Sequence, residues 1–223
     1  MLDPYIRPLI DPPLNYIGKK IASFGISANM VTFTGLLCGI IAIIMISVGK
    51  YNLAVIFVCL NRLFDGFDGA VARNTHLSDF GGFLDILCDF IIYSGIVFAF
   101  GIANQNHLFY SSFLVFSFIG PITTFLAYAN IAAKKKVKTA RCGKKSFYYL
   151  GGICEGTETA VILILICVFP NIFNKVCIIY GTLCWLTTLE RVYMAWDNFG
   201  EKQAGIEGVL KNIYTESTEP LKS

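Results

Sequence analysis

The chain is too apolar to be a water-soluble domain. Of its 223 residues, 55% are hydrophobic and only 15% are charged, whereas charged residues make up about a quarter of an ordinary soluble domain. The formal net charge is only +3. We therefore expect no nucleic-acid partner. Composition therefore excludes a soluble enzyme and indicates an integral membrane protein.

Residues 1–26 are predicted to form an interfacial segment on the cytoplasmic leaflet, because they combine apolar side chains with basic ones. The apolar ones are Tyr5, Ile6, Leu9, Ile10, Leu14 and Ile17, and the basic ones are Arg7, Lys19 and Lys20. A secretory signal would have a continuous apolar core instead of the prolines and acids found here. Because of those prolines, a flexible tail stays open as an alternative.

Six apolar stretches follow, each about as long as a membrane-spanning helix, which needs about 20 residues. They cover residues 27–49, 51–73, 80–103, 107–133, 148–170 and 173–196. We therefore predict an all-α integral membrane protein with six transmembrane helices. Residues 27–197 would form one transmembrane domain, and residues 198–223 would form a polar cytoplasmic tail.

The positions of Lys and Arg predict the orientation in the membrane. Basic residues concentrate in the N-terminal segment, after the second and fourth spans, and in the C-terminal tail, whereas only Lys50 and Lys175 fall on the opposite face. Lys and Arg near the ends of spans stay on the cytoplasmic side. We therefore expect both termini in the cytoplasm, with a bacterial inner membrane as the location.

Aspartates interrupt the second and third spans, where a charged side chain costs about 2.5–3.5 kcal/mol on insertion scales. They fall on two helical stripes with spacings of three or four residues. The first stripe contains Asp65, Asp68, Gly69 and Ala72, and the second contains Gly81, Asp85 and Asp89. Since a short turn joins the two spans, we expect the stripes to face each other near the cytoplasmic end.

Four carboxylates this close cannot all be ionised and unpaired, so we expect cations among them. Oxygen ligands without a neighbouring His or Cys favour Mg²⁺ first and Mn²⁺ second. Two such ions about 3.5–4 Å apart form a recurring clamp for phosphoryl displacement. The residues thus predict two ions that hold a phosphate ester at the membrane surface. The alternative is that the aspartates form packing salt bridges with Arg62 and Arg73.

One stretch resembles the signature of the CDP-alcohol phosphatidyltransferase family, D-x2-D-G-x2-A-R-x8-G-x3-D-x3-D. It reads Asp65-Gly66-Phe67-Asp68-Gly69-Ala70-Val71-Ala72-Arg73 and continues with Gly81, Asp85 and Asp89. One interval departs from the signature, because seven residues rather than eight separate Arg73 from Gly81, which shortens the connecting turn. The entry to the first span, Ser27-Ala28-Asn29-Met30-Val31-Thr32, is similar to the family's T-P-N-x-x-T without its proline.

The resemblance implies a phospholipid-synthesising enzyme that transfers a phosphatidyl group from CDP-diacylglycerol to a small alcohol and releases CMP. It implies that Asp65, Asp68 and Asp85 hold two Mg²⁺ or Mn²⁺ ions, with Asp89 as a further ligand and as the general base. The positions that would bind the CDP end of the donor are Gly69, Ala72, Arg73 and Gly81. The resemblance also implies a homodimer in the lipid bilayer and leaves the acceptor open, with glycerol 3-phosphate and inositol phosphate among the options.

Further charges in and near the last two spans are candidates for the acceptor pocket. They are Glu155, Glu158, Arg191 and, in the basic loop before the fifth span, Arg141. Glu155 and Glu158 share a helical face, and they either border that pocket or pair with Arg62. Alternatively, this part of the helix packs through its glycines. Membrane topology explains the basic loop as well as a phosphorylated acceptor does.

A divalent-cation transporter lined by intramembrane carboxylates is the main alternative function. Such a protein would not need Gly69, Ala72 and Arg73 in register with the acids. A membrane prenyltransferase also uses aspartate-rich metal sites, but its motif lacks the Gly-x2-Ala-Arg element. A nonenzymatic scaffold would leave the acid cluster unexplained.

Overall fold

A computed structural model describes residues 3–134 and 152–200, and every regular element in these two ranges is helical. The α-helices there are α1 (Asp3–Ser23), α2 (Ala28–Ser47), α3 (Tyr51–Asn74), α4 (Asp79–Ala103), α5 (Leu108–Lys134), α6 (Gly156–Val168) and α7 (Phe173–Phe199). Single 3-10 turns, Gln105–His107 and Pro170–Ile172, precede α5 and α7. The prediction of an all-α protein is confirmed.

Four helical segments of the described ranges are long and apolar enough to cross a membrane. They are α2, α4, α5 with the turn before it and α7 with the turn before it. These segments agree with the predicted integral membrane class. Helices also lie within the other two predicted ranges, but α3 is interrupted by charged residues and α6 has 13 residues. The count of six spans therefore stays a prediction.

Side-chain caps and one glycine fix the turns next to α2 and α4. Ser27 caps α2 by accepting a hydrogen bond from the Met30 N–H, and Ser78 caps α4 by accepting one from the Gly81 N–H. Such caps satisfy backbone donors that have no partner inside the helix. Gly49 has a φ of 74°, which favours glycine, and the chain reverses there between α2 and α3. Short connections thus bring α2, α3 and α4 side by side.

Glycines allow α2 and α4 to approach closely. A Cβ atom added to Gly39 would overlap Ile92, and one added to Gly95 would overlap Ile43. Small residues at helix contacts are typical of membrane bundles. The apolar core continues from these helices to α5, α6 and α7. It includes a stacked aromatic pair, Phe100 on Phe173, with ring centroids 4.4 Å apart.

α1 packs on the half of α3 that carries the signature. Gly18 is buried against Ala70, and Leu14 contacts Gly66. Prolines inside α1 lack the N–H groups that a helix interior needs, so packing on α3 compensates for lost backbone hydrogen bonds. Exposed apolar side chains remain at Leu9, Ile10, Tyr16 and Ile17. The segment is thus helical over these residues, while its location at the membrane interface stays a prediction.

Candidate active site

The start of α2, the end of α3 and the start of α4 meet at one place. α3 ends at Asn74 and α4 begins at Asp79, so the connection between the two acidic stripes is very short. The turn is one residue shorter than the family signature, yet it still brings aspartates of both helices together. This meeting of helix ends forms the candidate active site.

Three of the predicted metal ligands converge. One carboxylate oxygen each from Asp65, Asp68 and Asp85 lies within 4.8 Å of the other two. Asp68 is buried, Asp65 is partly buried and Asp85 is exposed, so the cluster opens toward its Asp85 side. α3 contributes the two deeper carboxylates and α4 contributes the outer one, as the two stripes predicted.

Thr32 of α2 is part of the site, although sequence reasoning assigned it no role. Its Oγ1 donates a hydrogen bond of 2.6 Å to Asp68 Oδ2, and both side chains are buried. A buried hydrogen bond to a carboxylate fixes the orientation of that carboxylate. The available signal was the similarity of residues 27–32 to the family's T-P-N-x-x-T, in which Thr32 occupies the final position.

Asp89 is held differently from the other three aspartates, by Arg62 and Tyr93. Arg62 Nη2 lies 2.9 Å from Asp89 Oδ1, and the Tyr93 hydroxyl donates to Asp89 Oδ2 at 3.1 Å. Arg62 Nη1 also donates to the Tyr93 hydroxyl at 2.6 Å and lies 3.7 Å from Asp65 Oδ2. Both oxygens of Asp89 therefore have partners within the protein.

This network revises the expectations for Arg62 and Arg73. Arg62 forms its ion pairs with Asp65 and Asp89, so the suggested pairing with Glu155 or Glu158 is wrong, because α4 rather than α6 lies next to the guanidinium. The packing-salt-bridge alternative holds for Arg62 but fails for Arg73. Arg73 contacts Asn15 and Asp11 of α1 instead of Asp65, Asp68, Asp85 or Asp89.

The residues fit a hard divalent cation. The aspartates surround a cavity of about 10 Å³, and a space of about this volume holds one water-sized sphere. Its lining is Thr32, Gly35, Leu36, Asn61, Arg62, Asp65, Asp68, Asp85, Cys88 and Asp89. Carboxylate oxygens dominate the donor atoms, and no His contributes, which favours Mg²⁺ or Mn²⁺ over softer metals.

Three of the predicted donor-binding residues, Gly69, Ala72 and Arg73, lie on α3 beside this cluster, and Arg73 contacts α1. Arg73 Nε donates to Asn15 Oδ1 at 2.9 Å, and Arg73 Nη2 lies 3.9 Å from Asp11 Oδ1. A Cβ atom on Gly69 would lie 3.4 Å from Arg73 Nη1. Ala72 is partly buried on the same helix. The first helix of the chain thus contacts the signature arginine directly.

Gly81 lies at the cap of α4, close to α2. A Cβ atom there would lie 3.0 Å from Ser78 Oγ and 3.4 Å from Asn29 Oδ1. A larger residue would have to displace the cap or Asn29. The absence of a side chain thus keeps the two helix starts together at the mouth of the site.

The residues assigned to the acceptor pocket lie elsewhere in the bundle. Arg191 of α7 is buried and donates from Nη1 to the Pro121 carbonyl oxygen at 2.7 Å. Glu155 Oε1 accepts a hydrogen bond from the Gly152 N–H at 3.1 Å, and Glu158 lies in the first turn of α6. Neither glutamate nor Arg191 lines the aspartate cavity. Arg141 lies outside the described residues, as does the predicted tail beyond Gly200.

The fold and the site define a helical protein with several helices long enough to cross a membrane, in which clustered aspartates could hold a hard divalent cation. Comparison with known families specifies the class further. The family model described as CDP-alcohol phosphatidyltransferase matches residues 25–194, which is most of the chain. The protein belongs to the CDP-alcohol phosphatidyltransferase family and is an enzyme of that family. The transporter alternative is therefore wrong.

Similar proteins agree with this assignment. The chain is 42% identical to the inner membrane protein YnjF of Escherichia coli over 198 residues, covering 88% of this chain and 96% of that one. It is 32% identical to the archaetidylinositol phosphate synthase of Pyrococcus horikoshii over 194 residues, covering 85% and 94%. The crystal structure of the Mycobacterium tuberculosis phosphatidylinositol phosphate synthase with CDP-DAG bound has the same fold. Its TM-score is 0.66 at 19% identity, covering 82% of this chain and 93% of that one.

Proposed function

We propose that the protein transfers the phosphatidyl group of CDP-diacylglycerol to a small alcohol and releases CMP. The observation that carries this proposal is the convergence of Asp65, Asp68 and Asp85 within 4.8 Å. These residues occupy the aspartate positions of the family signature, and the cluster opens at the end of the bundle, where a polar headgroup has access. Family membership supplies the reaction class, and the cluster supplies the site.

Asp65, Asp68 and Asp85 are proposed to hold Mg²⁺ or Mn²⁺, with two ions in the fully loaded site and Asp89 bordering them. Divalent ions would neutralise the donor's diphosphate and the charge that develops on the attacking and leaving oxygens. The protein provides the geometry, since Thr32 orients Asp68 and the short α3–α4 connection places Asp85 opposite α3. Positioning and charge neutralisation provide most of the catalysis of such displacements.

Gly69, Ala72, Arg73 and Gly81 are proposed to bind the CDP end of the donor. Arg73 supplies a guanidinium suited to a phosphate, and its Nε already bonds to Asn15 of α1. The two glycines leave space next to the aspartates. A donor whose acyl chains lie in the inner leaflet would therefore reach the cluster beside α1.

Asp89 is proposed to act as the general base. The acceptor hydroxyl would give its proton to an Asp89 oxygen while its own oxygen forms a bond to the phosphorus of the phosphatidyl group. The bond from that phosphorus to the CMP oxygen breaks, and CMP leaves. Asp89 lines the same cavity as the metal ligands, so one acceptor oxygen has access to both.

The acceptor is proposed to be a phosphorylated alcohol, with inositol phosphate as the first one to test and glycerol 3-phosphate as the second. The names of the Pyrococcus relative and of the solved structure support inositol phosphate. Glu155, Glu158, Arg191 and Arg141 stay the candidates for this pocket. Substitutions there should raise the KM for the acceptor without changing the KM for the donor.

The active site and both termini are proposed to face the cytoplasm, and the protein is proposed to be a homodimer. The distribution of basic residues supports the orientation, and the Escherichia coli relative is named an inner membrane protein. The proposed division is residues 1–26 as interfacial segment, 27–197 as catalytic domain and 198–223 as tail. Cross-linking in native membranes tests the dimer.

One assay tests the function. Purified protein receives CDP-diacylglycerol, Mg²⁺ and one alcohol at a time, and both CMP and the new phospholipid are measured. We expect turnover with a phosphorylated alcohol and its loss on Asp68→Asn. Asp79→Asn is the matched control, because Asp79 is an exposed acid in the first turn of α4 and outside the cluster. Absence of CMP with glycerol 3-phosphate, inositol phosphate, inositol and serine would overturn the proposal.

A further inference from the structure

Arg62 is a buried cation inside the aspartate cavity, and the proposed reaction gives it no role. Its side chain is only 12% exposed, and burying a guanidinium is unfavourable unless its donors are satisfied and its charge is balanced. The family signature begins at Asp65, so Arg62 lies outside it. The site therefore contains a positive charge of its own that the signature does not explain.

The guanidinium is fixed by partners on α3 and α4, and Asn61 links it to α2. Nε and Nη2 both donate to Asn61 Oδ1, at 2.9 and 2.6 Å, and Asn61 Nδ2 donates to the Gly35 carbonyl oxygen of α2 at 2.8 Å. Its Cζ lies 4.7 Å from the centroid of the Tyr93 ring on α4. These contacts hold the charge between Asp65 and Asp89 and make a large displacement of Arg62 unfavourable.

A guanidinium in this position competes with a metal ion. It lies 2.9 Å from one Asp89 oxygen and 3.7 Å from one Asp65 oxygen, and thus occupies the place between two carboxylates that a bridging cation would take. Two divalent ions balance four aspartates by themselves. With Arg62 present, one divalent ion leaves a single negative charge, whereas two ions leave a positive one until an anionic ligand arrives.

We infer that Arg62 is a positioning residue that fixes Asp89 and limits the empty site to one tightly bound divalent ion. That ion would lie among Asp65, Asp68 and Asp85, and a second ion would enter with the diphosphate of the donor. This inference rests on the proposed function for the identity of the donor, but the first part concerns the protein alone. According to this inference, a residue outside the family signature sets the number of tightly bound ions.

The test counts Mn²⁺ ions without turnover. The full chain in a neutral detergent, stripped of metal with a chelator, is titrated with Mn²⁺ while electron paramagnetic resonance measures the free ion. We expect one tight ion per chain, and two when CDP-diacylglycerol is present, after subtraction of the same donor in detergent alone. Any other number of tight ions in the wild-type protein without donor overturns the inference.

Variants separate charge from hydrogen bonding. Arg62→Gln removes the charge, and we expect the second Mn²⁺ to bind at least tenfold more tightly in the absence of donor. Arg62→Lys and Tyr93→Phe keep a cation at position 62, so both should retain one tight ion. An unchanged count in Arg62→Gln, or a second tight ion in either control, overturns the inference. If Arg62→Gln fails to fold, a wild-type count other than one, or a second tight ion in either control, still overturns the inference.

The ion count and the CMP assay fail independently. CMP release together with two equally tight ions in the wild type would leave the proposed function standing and remove the role of Arg62. One tight ion without CMP release from any acceptor would leave the role of Arg62 standing and remove the proposed function.

Discussion

Replacing Thr32 by Val should weaken metal binding strongly while leaving the fold intact. Valine has nearly the same shape as threonine but has no hydroxyl to donate to Asp68 Oδ2, which is 2.6 Å away. Since Asp68 is only 6% exposed, water does not replace the lost donor. A hydrogen bond to a charged group contributes about 1.5–3 kcal/mol, which corresponds to roughly 10- to 150-fold in an equilibrium constant at about 1.4 kcal/mol per tenfold.

Mn²⁺ titration and CMP release together measure this effect. We expect Thr32→Val to raise the Mn²⁺ dissociation constant and to lower kcat/KM at fixed Mg²⁺, with partial recovery at high Mg²⁺. Thr32→Ser should restore both, because it restores the hydroxyl. The matched control is Thr34→Val, two residues away on α2, whose hydroxyl bonds to the Met30 carbonyl oxygen of its own helix. Equal Mn²⁺ affinity in Thr32→Val and Thr34→Val would refute the reasoning.

Three further predictions concern α1 and the membrane topology. Asn15→Ala should raise the KM for CDP-diacylglycerol by roughly 2- to 10-fold with little change in kcat, because one hydrogen bond to Arg73 contributes about 0.5–1.5 kcal/mol. An unchanged KM would show that α1 does not contribute to donor binding. Gly18→Val should lower the free energy of unfolding by about 1–3 kcal/mol, because the larger side chain overpacks against Ala70. Gly156→Ala should leave it unchanged, because the space around Gly156 is open. A fluorescent protein that matures only in the cytoplasm should fluoresce when fused to either terminus, and a dark fusion would contradict the orientation.

The convergence of Asp65, Asp68 and Asp85 followed from sequence because it depends on local geometry. Asp65 and Asp68 are three residues apart on one helix, so they share a face wherever that helix lies. A short turn then keeps the start of the next helix near the end of this one, which places Asp85 opposite them. Helical periodicity and connection length were sufficient for this part of the site.

The partners of Arg62 and Asp68 were not predictable in the same way, because they depend on how separate helices pack. The stripe on α4 continues from Asp89 to Tyr93, four residues later, and this spacing was a usable signal. Nothing in the spacing of α2, however, shows that Thr32 points at Asp68. Arg62 had several acids within reach of its predicted span, and only the position of Asp89 and Tyr93 of α4 next to the guanidinium selects Asp89 over Glu158.

The low hydropathy of α3 is a consequence of the site it carries. A charged side chain facing lipid costs about 2.5–3.5 kcal/mol on insertion scales, and α3 contains Arg62, Asp65, Asp68 and Arg73. The helix is tolerated because α1, α2 and α6 pack around it and because Arg62 and the aspartates balance each other in part. A membrane helix that carries such a carboxylate cluster should therefore be less apolar than its purely structural neighbours. α1 therefore has two roles, because it covers the polar end of α3 and also contacts Arg73.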